Sequence, residues 1–347
     1  MKIVSLDFNT VNYIGGIASF NRNLNLIFDN NIRYISLYKN KVNPSLLDNE
    51  KNIGIRKNFL TKMMNYFSNY KISSFLIARE VNKDEVCILN SPSFIRSEIK
   101  CKSLILVQHQ DLDIMFTNRS NFGGSREFLS HVMSKIDKFV VLTESDRNSA
   151  INKYGFKPKQ VITIPHALRI DIIEKKVRPS KNIAMLTRLD NKQKRVDLVI
   201  NAMKKLPDWN LNIYGDGPDK KYLNSLINKN KLNNVFLHGR VSDIRSVLDE
   251  NAIHVMSSDF EGFGLSNIEA AARGLPLIIR DTYCAANELI DGNGFLLKKN
   301  WDDEEFISAV LNIYSNYDIY SDNSINMARK FSFLNVKSKW INLIKEL

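Results

Sequence analysis

Short apolar runs alternate with longer amphipathic stretches along the second half of the chain. NIAMLT at residues 182–187 has the length and composition of a buried strand, and VDLVINAMKKL at 196–206 has apolar residues at helical spacing. The alternation continues through LNIYG at 211–215 to NGFLLK at 293–298. Because buried parallel strands are continuous apolar runs joined by helices, this pattern predicts a doubly wound α/β domain.

The first half of the chain repeats this alternation more loosely. KIVSLD at residues 2–7 is typical of a strand and ASFNRNLNLIF at 18–28 of a helix, and VCILNSP, SLILVQH and KFVVLTES indicate three further strands. A polar, basic connection at 161–182 separates the two alternations. Because 347 residues exceed what one core usually supports, we predict two doubly wound α/β domains that face one another.

Composition limits the class of protein. Cys87, Cys101 and Cys284 are scattered and show neither disulfide nor zinc spacing, which indicates a reducing compartment. No apolar stretch reaches the roughly 18 residues of a membrane span. Asp7 interrupts the first apolar run, so a signal peptide is not predicted either. We therefore expect a cytoplasmic location.

Positive charge is concentrated in the first half of the chain. The net charge is +12, and residues 1–165 hold 23 Lys and Arg against 14 Asp and Glu. Such a field favours an anionic partner, either a membrane surface, a nucleic acid or a polyanionic glycan. The alternative is that this charge serves solubility alone.

The loops that follow the predicted strands are the first places to look for a ligand, because doubly wound sheets bind ligands there. Arg188 and Lys194 follow the strand NIAMLT, with further cations beside them. A guanidinium and a nearby ammonium suit a diphosphate, although such a loop is more often simply solvated. Gly215 and Gly217 follow LNIYG and permit a tight turn and a close ligand approach, or only a plain turn.

Three weaker signals lie in the first half. Gly15 and Gly16 precede a predicted helix, so free N–H groups there can face an anion. His109 closes the strand SLILVQH, where a histidine serves either as a structural hydrogen-bonding group or in catalysis. The pair Asp111 and Asp113 is too common a pattern to predict a metal site, and no metal is predicted.

The segment DFEGFGLSNIEAAARGLPL at 259–277 combines two carboxylates with a glycine-rich loop. Ser266 and Glu269 fit a capping box, in which Ser266 caps the next helix and Glu269 bonds back to it. Glu261 precedes the glycines at the end of a predicted strand and has no such structural explanation. A glycine-rich loop entering a helix suits a phosphate, and a carboxylate beside it suits sugar hydroxyls.

The stretch EGFGLSNIE resembles the E-x7-E motif of family 4, the retaining glycosyltransferases with the GT-B fold. The resemblance runs in order along nearly the whole chain, through GGIASFNRNL, FVVLTESDRNSAI, VITIPHAL, AMLTRLDNKQKRVDLVINAM, LNIYGDGP and VFLHGRVSDI. It implies a GT-B fold of two Rossmann-like domains: an acceptor-binding domain at 1–165, a donor-binding domain at 166–330, and a C-terminal helix at 331–347 packing on the first.

The resemblance also implies an activity. The chain would be a hexosyltransferase that moves a hexose or N-acetylhexosamine from a nucleotide sugar, with retention and without a metal ion. The acceptor would be a cell-surface glycan or a lipid-linked molecule, and UDP is expected over GDP. The alternatives are a nucleic-acid glucosyltransferase, a sugar-nucleotide epimerase and a non-enzymatic, glycan-binding relative. The sequence lacks a nucleic-acid module, so no nucleic-acid partner is expected.

The resemblance assigns roles by position. Arg188 and Lys194 would bind the donor diphosphate and neutralise the leaving group. Glu261 would contact the sugar hydroxyls, Glu269 the ribose, and His109 would lie near the reacting face of the sugar. The remaining implied donor-binding positions are Gly15, Gly16, Gly215, Gly217, Val241, Gly262, Phe263, Gly264 and Leu265. Arg195 stands where the family usually has a glycine, which leaves the sugar preference open.

A basic stretch in the first half bears on the acceptor. Residues 51–71 hold five basic residues and no acidic one, with apolar residues at helical spacing. This predicts a basic helix that either lies on an anionic membrane or packs on its own sheet. The candidate membrane or acceptor contacts are Arg56, Lys57, Phe59, Lys62 and Phe67.

Overall fold

The computed structural model describes residues 2–13, 15–39, 46–117, 126–176 and 180–347. The chain divides into two compact units, Met1–Ala167 with Leu334–Leu347, and Leu168–Phe333. Each unit is built on one parallel sheet with helices between its strands. The predicted pair of doubly wound parallel-sheet domains is confirmed.

The first unit contains a sheet whose described strands pair in the order β3-β2-β1-β4-β5-β6-β7, all parallel. The strands are β1 Lys2–Asp7, β2 Arg33–Tyr38, β3 Glu50–Ile55, β4 Glu85–Leu89, β5 Ser103–Val107, β6 Lys138–Val141 and β7 Val161–Thr163. The helices are α1 Gly16–Ile27, α2 Phe59–Phe67, α3 Lys71–Ala78, α4 Leu112–Thr117, α5 Arg126–Lys135 and α6 Glu144–Asn152, with a 3₁₀ turn at Pro92–Arg96. The strand order reverses between β1 and β4, which is where such sheets open a crevice.

The second unit contains a parallel sheet with the described order β10-β9-β8-β11-β12-β13. The strands are β8 Asn182–Leu186, β9 Asn210–Tyr214, β10 Val235–Gly239, β11 Ile253–Met256, β12 Leu277–Arg280 and β13 Gly294–Leu297. The helices are α7 Asn191–Lys194, α8 Val196–Ala202, α9 Lys220–Lys229, α10 Ile244–Asp249, α11 Leu265–Ala272, α12 Cys284–Glu288, α13 Asp303–Ser315 and α14 Tyr317–Arg329, with a 3₁₀ turn at Met203–Lys205. Here the order reverses between β8 and β11.

The last helix, α15 at Phe333–Lys345, packs with the first unit. Trp340 is buried, and its ring lies 5.9 Å from that of Phe20 and 6.5 Å from that of Phe28. Lys337 Nζ lies 2.8 Å from Asp29 Oδ1. The core of the first unit is therefore completed by residues from the far end of the chain.

The prediction of one basic helix across 51–71 is wrong at both ends. Residues 50–55 form β3, because their backbone groups pair with β2 at the edge of the sheet. Asn58 then caps α2, accepting a hydrogen bond from the Thr61 N–H at 2.9 Å. Tyr70 has a left-handed backbone, with φ of 63°, and separates α2 from α3.

Candidate functional site

The carboxyl ends of β8 and β11 bring together two residues that the sequence predicted from separate motifs. Lys194 Nζ lies 2.5 Å from Glu261 Oε1, and the Ser258 hydroxyl donates to the same oxygen at 2.6 Å. Both side chains are largely buried, at 16% and 10% exposed. A buried ammonium and a buried carboxylate at the edge of a sheet have the chemistry to bind a ligand with both anionic and hydroxyl groups.

The backbone conformation at Arg195 explains why a glycine is usual at this position. Arg195 lies between α7 and α8 with φ of 48°, a left-handed conformation that favours glycine. Its guanidinium donates to both carboxylate oxygens of Asp197, at 3.1 and 3.3 Å. The Ser257 hydroxyl donates to the carbonyl of Lys194 at 2.9 Å and to that of Arg195 at 3.0 Å. These contacts hold the turn that aims Lys194 at Glu261.

Arg188 lies in the loop after β8 but outside the buried pair. It forms an ion pair with Asp190, and its side chain is 63% exposed. The loop after β9 packs closely against the loop after β8, since a Cβ at Gly215 would lie 1.8 Å from the Thr187 carbonyl oxygen. A Cβ at Gly217 would lie 2.4 Å from the Leu189 carbonyl oxygen. The two predicted glycines are thus needed for the contact between these loops.

The predicted capping box at Ser266 and Glu269 is wrong. Gly264, with φ of 83°, is the N-cap of α11, and the helix begins at Leu265 without a side-chain cap. Because the helix starts earlier than predicted, Ser266 lies inside the first turn and Glu269 lies on the buried face. Glu269 is instead paired with Arg169, whose Nε lies 2.8 Å from Glu269 Oε1. Burial raises the pKa of Glu269, and Arg169 opposes that change.

The other predicted donor positions are spread around this end of the second sheet. Gly262 and Phe263 follow Glu261 directly, and Phe263 is buried with its ring 5.5 Å from that of Phe331. Val241 lies exposed in the loop between β10 and α10.

The first unit has a cleft of about 190 Å³ at the carboxyl ends of β1, β4 and β5. Asp7, Asn90 and His109 line it, together with Ile17 from the first turn of α1. The predicted glycines directly precede Ile17 in sequence. Gly15 is the N-cap of α1, and Gly16 is its first residue. The cleft therefore lies at the switch point of the first sheet.

His109 lines this cleft in surroundings that disfavour the charged imidazolium. Its Nε2 lies 2.7 Å from Asn90 Oδ1, and its ring lies 4.9 Å from that of Phe20. The ring of His166 is stacked on it at 6.0 Å. Burial, and secondarily His166, hold the pKa of His109 well below its ordinary value. The ring is therefore suited to accepting a hydrogen bond rather than to carrying charge.

Asp7 was not predicted as a site residue, although its place at the end of the first strand was a usable signal. Its Oδ1 accepts from the Asn9 N–H at 3.2 Å, and its Oδ2 accepts from the Asn21 amide at 3.0 Å. Burial raises the pKa of Asp7 from 3.8 to about 7, while these hydrogen bonds lower it. The charged carboxylate is thus less favourable in the folded chain than in the unfolded one.

We expect Asp7→Asn to remove part of the pH dependence of stability. The raised pKa of Asp7 contributes stability that is complete below about pH 3.8 and lost as the pH rises through about 7. Relative to the wild type, the variant should therefore gain free energy of unfolding between about pH 4 and pH 8, by up to about 4 kcal/mol. Urea unfolding at both ends of this range measures the gain. Asp48→Asn, at an exposed position, is the control, and an equal gain there would contradict the assignment.

Most of the large apolar side chains of α2 and α3 are exposed, although both helices also bury residues against the first unit. Asn65 is buried, donating to the Tyr38 hydroxyl at 2.6 Å and accepting from the Ser73 hydroxyl at 2.5 Å. Phe59 and Phe67 are 72% and 75% exposed, respectively. The exposed apolar residues of the pair are Phe59, Leu60, Met63, Tyr66, Phe67, Ile72 and Phe75. Of the two sequence-based alternatives, packing on the sheet holds for the buried Asn65 side of α2, whereas the aromatic face is not packed on the sheet.

A protein-family model matches the unit that holds the Lys194–Glu261 pair. Residues 169–331 match the model of the glycosyl transferases group 1, and these bounds nearly coincide with the second unit at Leu168–Phe333. This segment belongs to the glycosyl transferases group 1. The resemblance drawn from EGFGLSNIE is thereby confirmed.

The similarity to named relatives extends beyond this segment into the rest of the chain. The chain is 25% identical to poly(ribitol-phosphate) alpha-N-acetylglucosaminyltransferase of Staphylococcus aureus (strain COL), over 91% of this chain and 67% of that protein. It is 26% identical to the UDP-N-acetylglucosamine–peptide N-acetylglucosaminyltransferase GtfA subunit of Limosilactobacillus reuteri subsp. suis, over 80% of this chain and 58% of that protein. The chain thus spans about half to two thirds of the first curated relatives that it matches.

A solved structure is similar in fold to this chain. TarM from S. aureus, crystallised with Fondaparinux, alpha-GlcNAc-glycerol and UDP, is similar over 99% of both chains, with a TM-score of 0.75 and 17% identity. At this identity the likeness concerns the fold alone. It supports the GT-B fold that the sequence predicted.

Proposed function

We propose that the chain is a retaining glycosyltransferase that moves a hexose or N-acetylhexosamine from a UDP-sugar to a cell-surface glycan or lipid-linked acceptor. The Lys194–Glu261 pair carries the proposal. In a nucleotide sugar the β-phosphate is bonded directly to the sugar, so the groups that bind them must lie side by side. A buried ammonium 2.5 Å from a buried carboxylate meets this requirement.

The proposed chemistry breaks the bond between the sugar C1 and the β-phosphate oxygen. Negative charge then develops on the departing diphosphate, and fixed cations stabilise it best when they are already in place. Lys194 and Arg188 would supply that charge, which is why we propose that the transfer needs no metal ion. As Lys194 turns to the phosphate, Glu261 would accept hydrogen bonds from the sugar hydroxyls.

Retention fits a transfer on one face of the sugar. The acceptor oxygen bonds to C1 on the face from which the diphosphate leaves, and a phosphate oxygen takes the acceptor proton. In this scheme the protein provides positioning and charge and does not supply a nucleophile. Glu261, paired with Lys194, is therefore proposed to bind hydroxyl groups and not to attack the sugar.

Two relatives and one solved structure support the donor and the acceptor that we propose. The name of the Limosilactobacillus reuteri relative gives UDP-N-acetylglucosamine, and the TarM crystal contains UDP. The name of the Staphylococcus aureus relative gives poly(ribitol-phosphate), a polyanion. The excess of cations in residues 1–165 is suited to such a polymer. We therefore propose a polyanionic cell-envelope glycan as the preferred acceptor.

Thermal unfolding with nucleotides tests the donor proposal. We expect UDP and a UDP-sugar to raise the melting temperature equally with and without EDTA, since a ligand at about 100 times its Kd adds about 2.7 kcal/mol to stability. Arg188→Ala should reduce this effect, and Lys192→Ala, at an exposed position in the same segment, should not. If no nucleotide stabilises the protein, the non-enzymatic, glycan-binding alternative becomes the better account. Product analysis separates transfer from epimerisation.

We further propose that the outward face of α2 and α3 binds an anionic membrane surface. Exposed aromatic side chains beside Arg56, Lys57 and Lys62 match a surface that has both acyl chains and negative headgroups. Among the described residues, no helix has the length and apolar content needed to cross a bilayer. A peripheral contact through this face would agree with a lipid-linked or envelope acceptor.

Sedimentation with vesicles tests the membrane proposal. We expect the protein to sediment with phosphatidylglycerol vesicles at low salt, and not with phosphatidylcholine vesicles. The double variant Phe59→Ser, Phe67→Ser should lose most of this binding, because about 1.5 to 3 kcal/mol of apolar burial is lost per side chain. Phe236→Ser, at another exposed aromatic position, is the control. Equal sedimentation of all three proteins would exclude this face as the contact.

A further inference from the structure

The cleft of the first unit contains a chain of hydrogen bonds that ends at His109. The Asn90 amide nitrogen donates to the backbone carbonyl of Leu6 at 3.0 Å and lies 2.9 Å from the Ser5 hydroxyl. A backbone carbonyl can only accept, so the amide nitrogen of Asn90 must face Leu6. The amide oxygen of Asn90 must therefore face His109, whose Nε2 lies 2.7 Å away.

A second amide supports this orientation from the other side. The Asn21 amide nitrogen donates to Asp7 Oδ2 at 3.0 Å, so its oxygen faces Asn90. Asn90 Nδ2 lies 3.2 Å from that oxygen, and the Ser5 hydroxyl donates to it at 2.9 Å. Asn21 is fully buried and Asn90 is 6% exposed, so water does not compete for these bonds.

The orientation of Asn90 determines where the proton of His109 lies. An amide oxygen can only accept, so Nε2 of His109 must carry the hydrogen. In a neutral ring the other nitrogen, Nδ1, then has a lone pair. Among the described residues no protein group is hydrogen-bonded to Nδ1. His109 lines the cleft, where a hydroxyl group of a ligand can supply the missing donor.

We propose that Asn90 is a positioning residue that fixes His109 in the tautomer with its proton on Nε2, so that Nδ1 accepts a hydrogen bond from a substrate hydroxyl. This inference rests on the proposed function for the identity of the substrate, a sugar or polyol. The hydroxyl belongs either to the transferred sugar or to the acceptor, and both have the same chemistry. The ring acts as a neutral acceptor, and its protonation abolishes that role.

Histidine-selective ¹⁵N NMR of the full chain tests the tautomer without any substrate. The chain has five histidines, and His109→Gln assigns the signal of interest. We expect a proton-bearing Nε2 and a proton-free Nδ1 at neutral pH. A proton on Nδ1, or a charged ring at neutral pH, would overturn the inference. Because this measurement involves no transfer reaction, its outcome is independent of the proposed activity.

The variant Asn90→Asp tests the role of Asn90 itself. A carboxylate against Nε2 favours the charged ring, so we expect the pKa of His109 to rise by about 1 to 3. The pH at which turnover falls on acidification should rise by the same amount, while turnover at high pH should stay close to that of the wild type. Asn31→Asp, at an exposed position, should change neither. An unchanged His109 in Asn90→Asp would refute the positioning role.

Titration of the NMR sample separates the two sources of the hydroxyl. If the Nδ1 signal moves on adding the UDP-sugar alone, the hydroxyl belongs to the donor. If it moves only on adding a polyol-phosphate acceptor with UDP, the hydroxyl belongs to the acceptor. If it moves with neither, while UDP still stabilises the protein, the inference fails and the donor proposal survives.

Discussion

Lys194→Ala is expected to lower kcat/KM for transfer by about a thousandfold. Loss of one preorganised group that stabilises developing charge costs about 10² to 10³ in rate. Here a second effect adds to the first, because Glu261 would be left without its partner and with only 10% of its side chain exposed. Initial rates over a range of donor concentrations would measure the loss, with kcat falling more than KM rises.

Two comparisons separate the catalytic loss from a structural one. Lys192→Ala changes a neighbouring, exposed lysine of α7 and should stay within about twofold of the wild type. Lys194→Ala alone should lower the melting temperature, and combining it with Glu261→Ala should restore part of that loss, since no unpaired charge remains. A Lys194→Ala protein with nearly full activity would contradict the assignment of the diphosphate site.

Gly215→Ala is expected to destabilise the second unit by about 3 kcal/mol. The added Cβ would lie 1.8 Å from the Thr187 carbonyl oxygen, which belongs to the backbone and cannot rotate away. Overpacking of this kind costs about 1 to 3 kcal/mol, and the backbone conformation at φ of 149° adds strain for any side chain. Urea unfolding followed by tryptophan fluorescence would measure it, and nucleotide affinity should fall as the loops separate.

Gly239→Ala is the matched control for the steric part of that loss. Gly239 also has a positive φ, 79°, and lies at the end of the neighbouring strand β10. A Cβ there would have nothing within 4 Å. The control variant should therefore lose only about 1 kcal/mol from backbone strain. Equal losses in the two variants would mean that the contact with Thr187 has no steric cost.

The sequence predicted the elements of the second unit well because they are strongly periodic. The strand expected at 182–187 is found at Asn182–Leu186, for instance. The strands β2 and β3, at one end of the first sheet, were not predicted, because their burial depends on which neighbour they pair with. Register and pairing are long-range properties that local patterns do not contain.

The contacts at the site that the sequence did not predict join residues that are distant in sequence. Arg169 lies 100 positions from Glu269, so local spacing favoured a capping box over the ion pair. The partnership of Asn90 with His109 also depends on two strands lying side by side. The helical spacing of residues 59–67 indicated an apolar face but not its direction, which the buried contact between Asn65 and Tyr38 determines.

The return of α15 to the first unit has a consequence for synthesis on the ribosome. The second unit, Leu168–Phe333, lies in sequence between the two parts of the first. All of its residues are therefore translated before Trp340, the buried side chain that packs against Phe20 and Phe28. Nascent chains generally fold from the N-terminus, but here the first unit must wait with part of its core open. The first unit is therefore begun first and completed last. The second unit can already be folded by then.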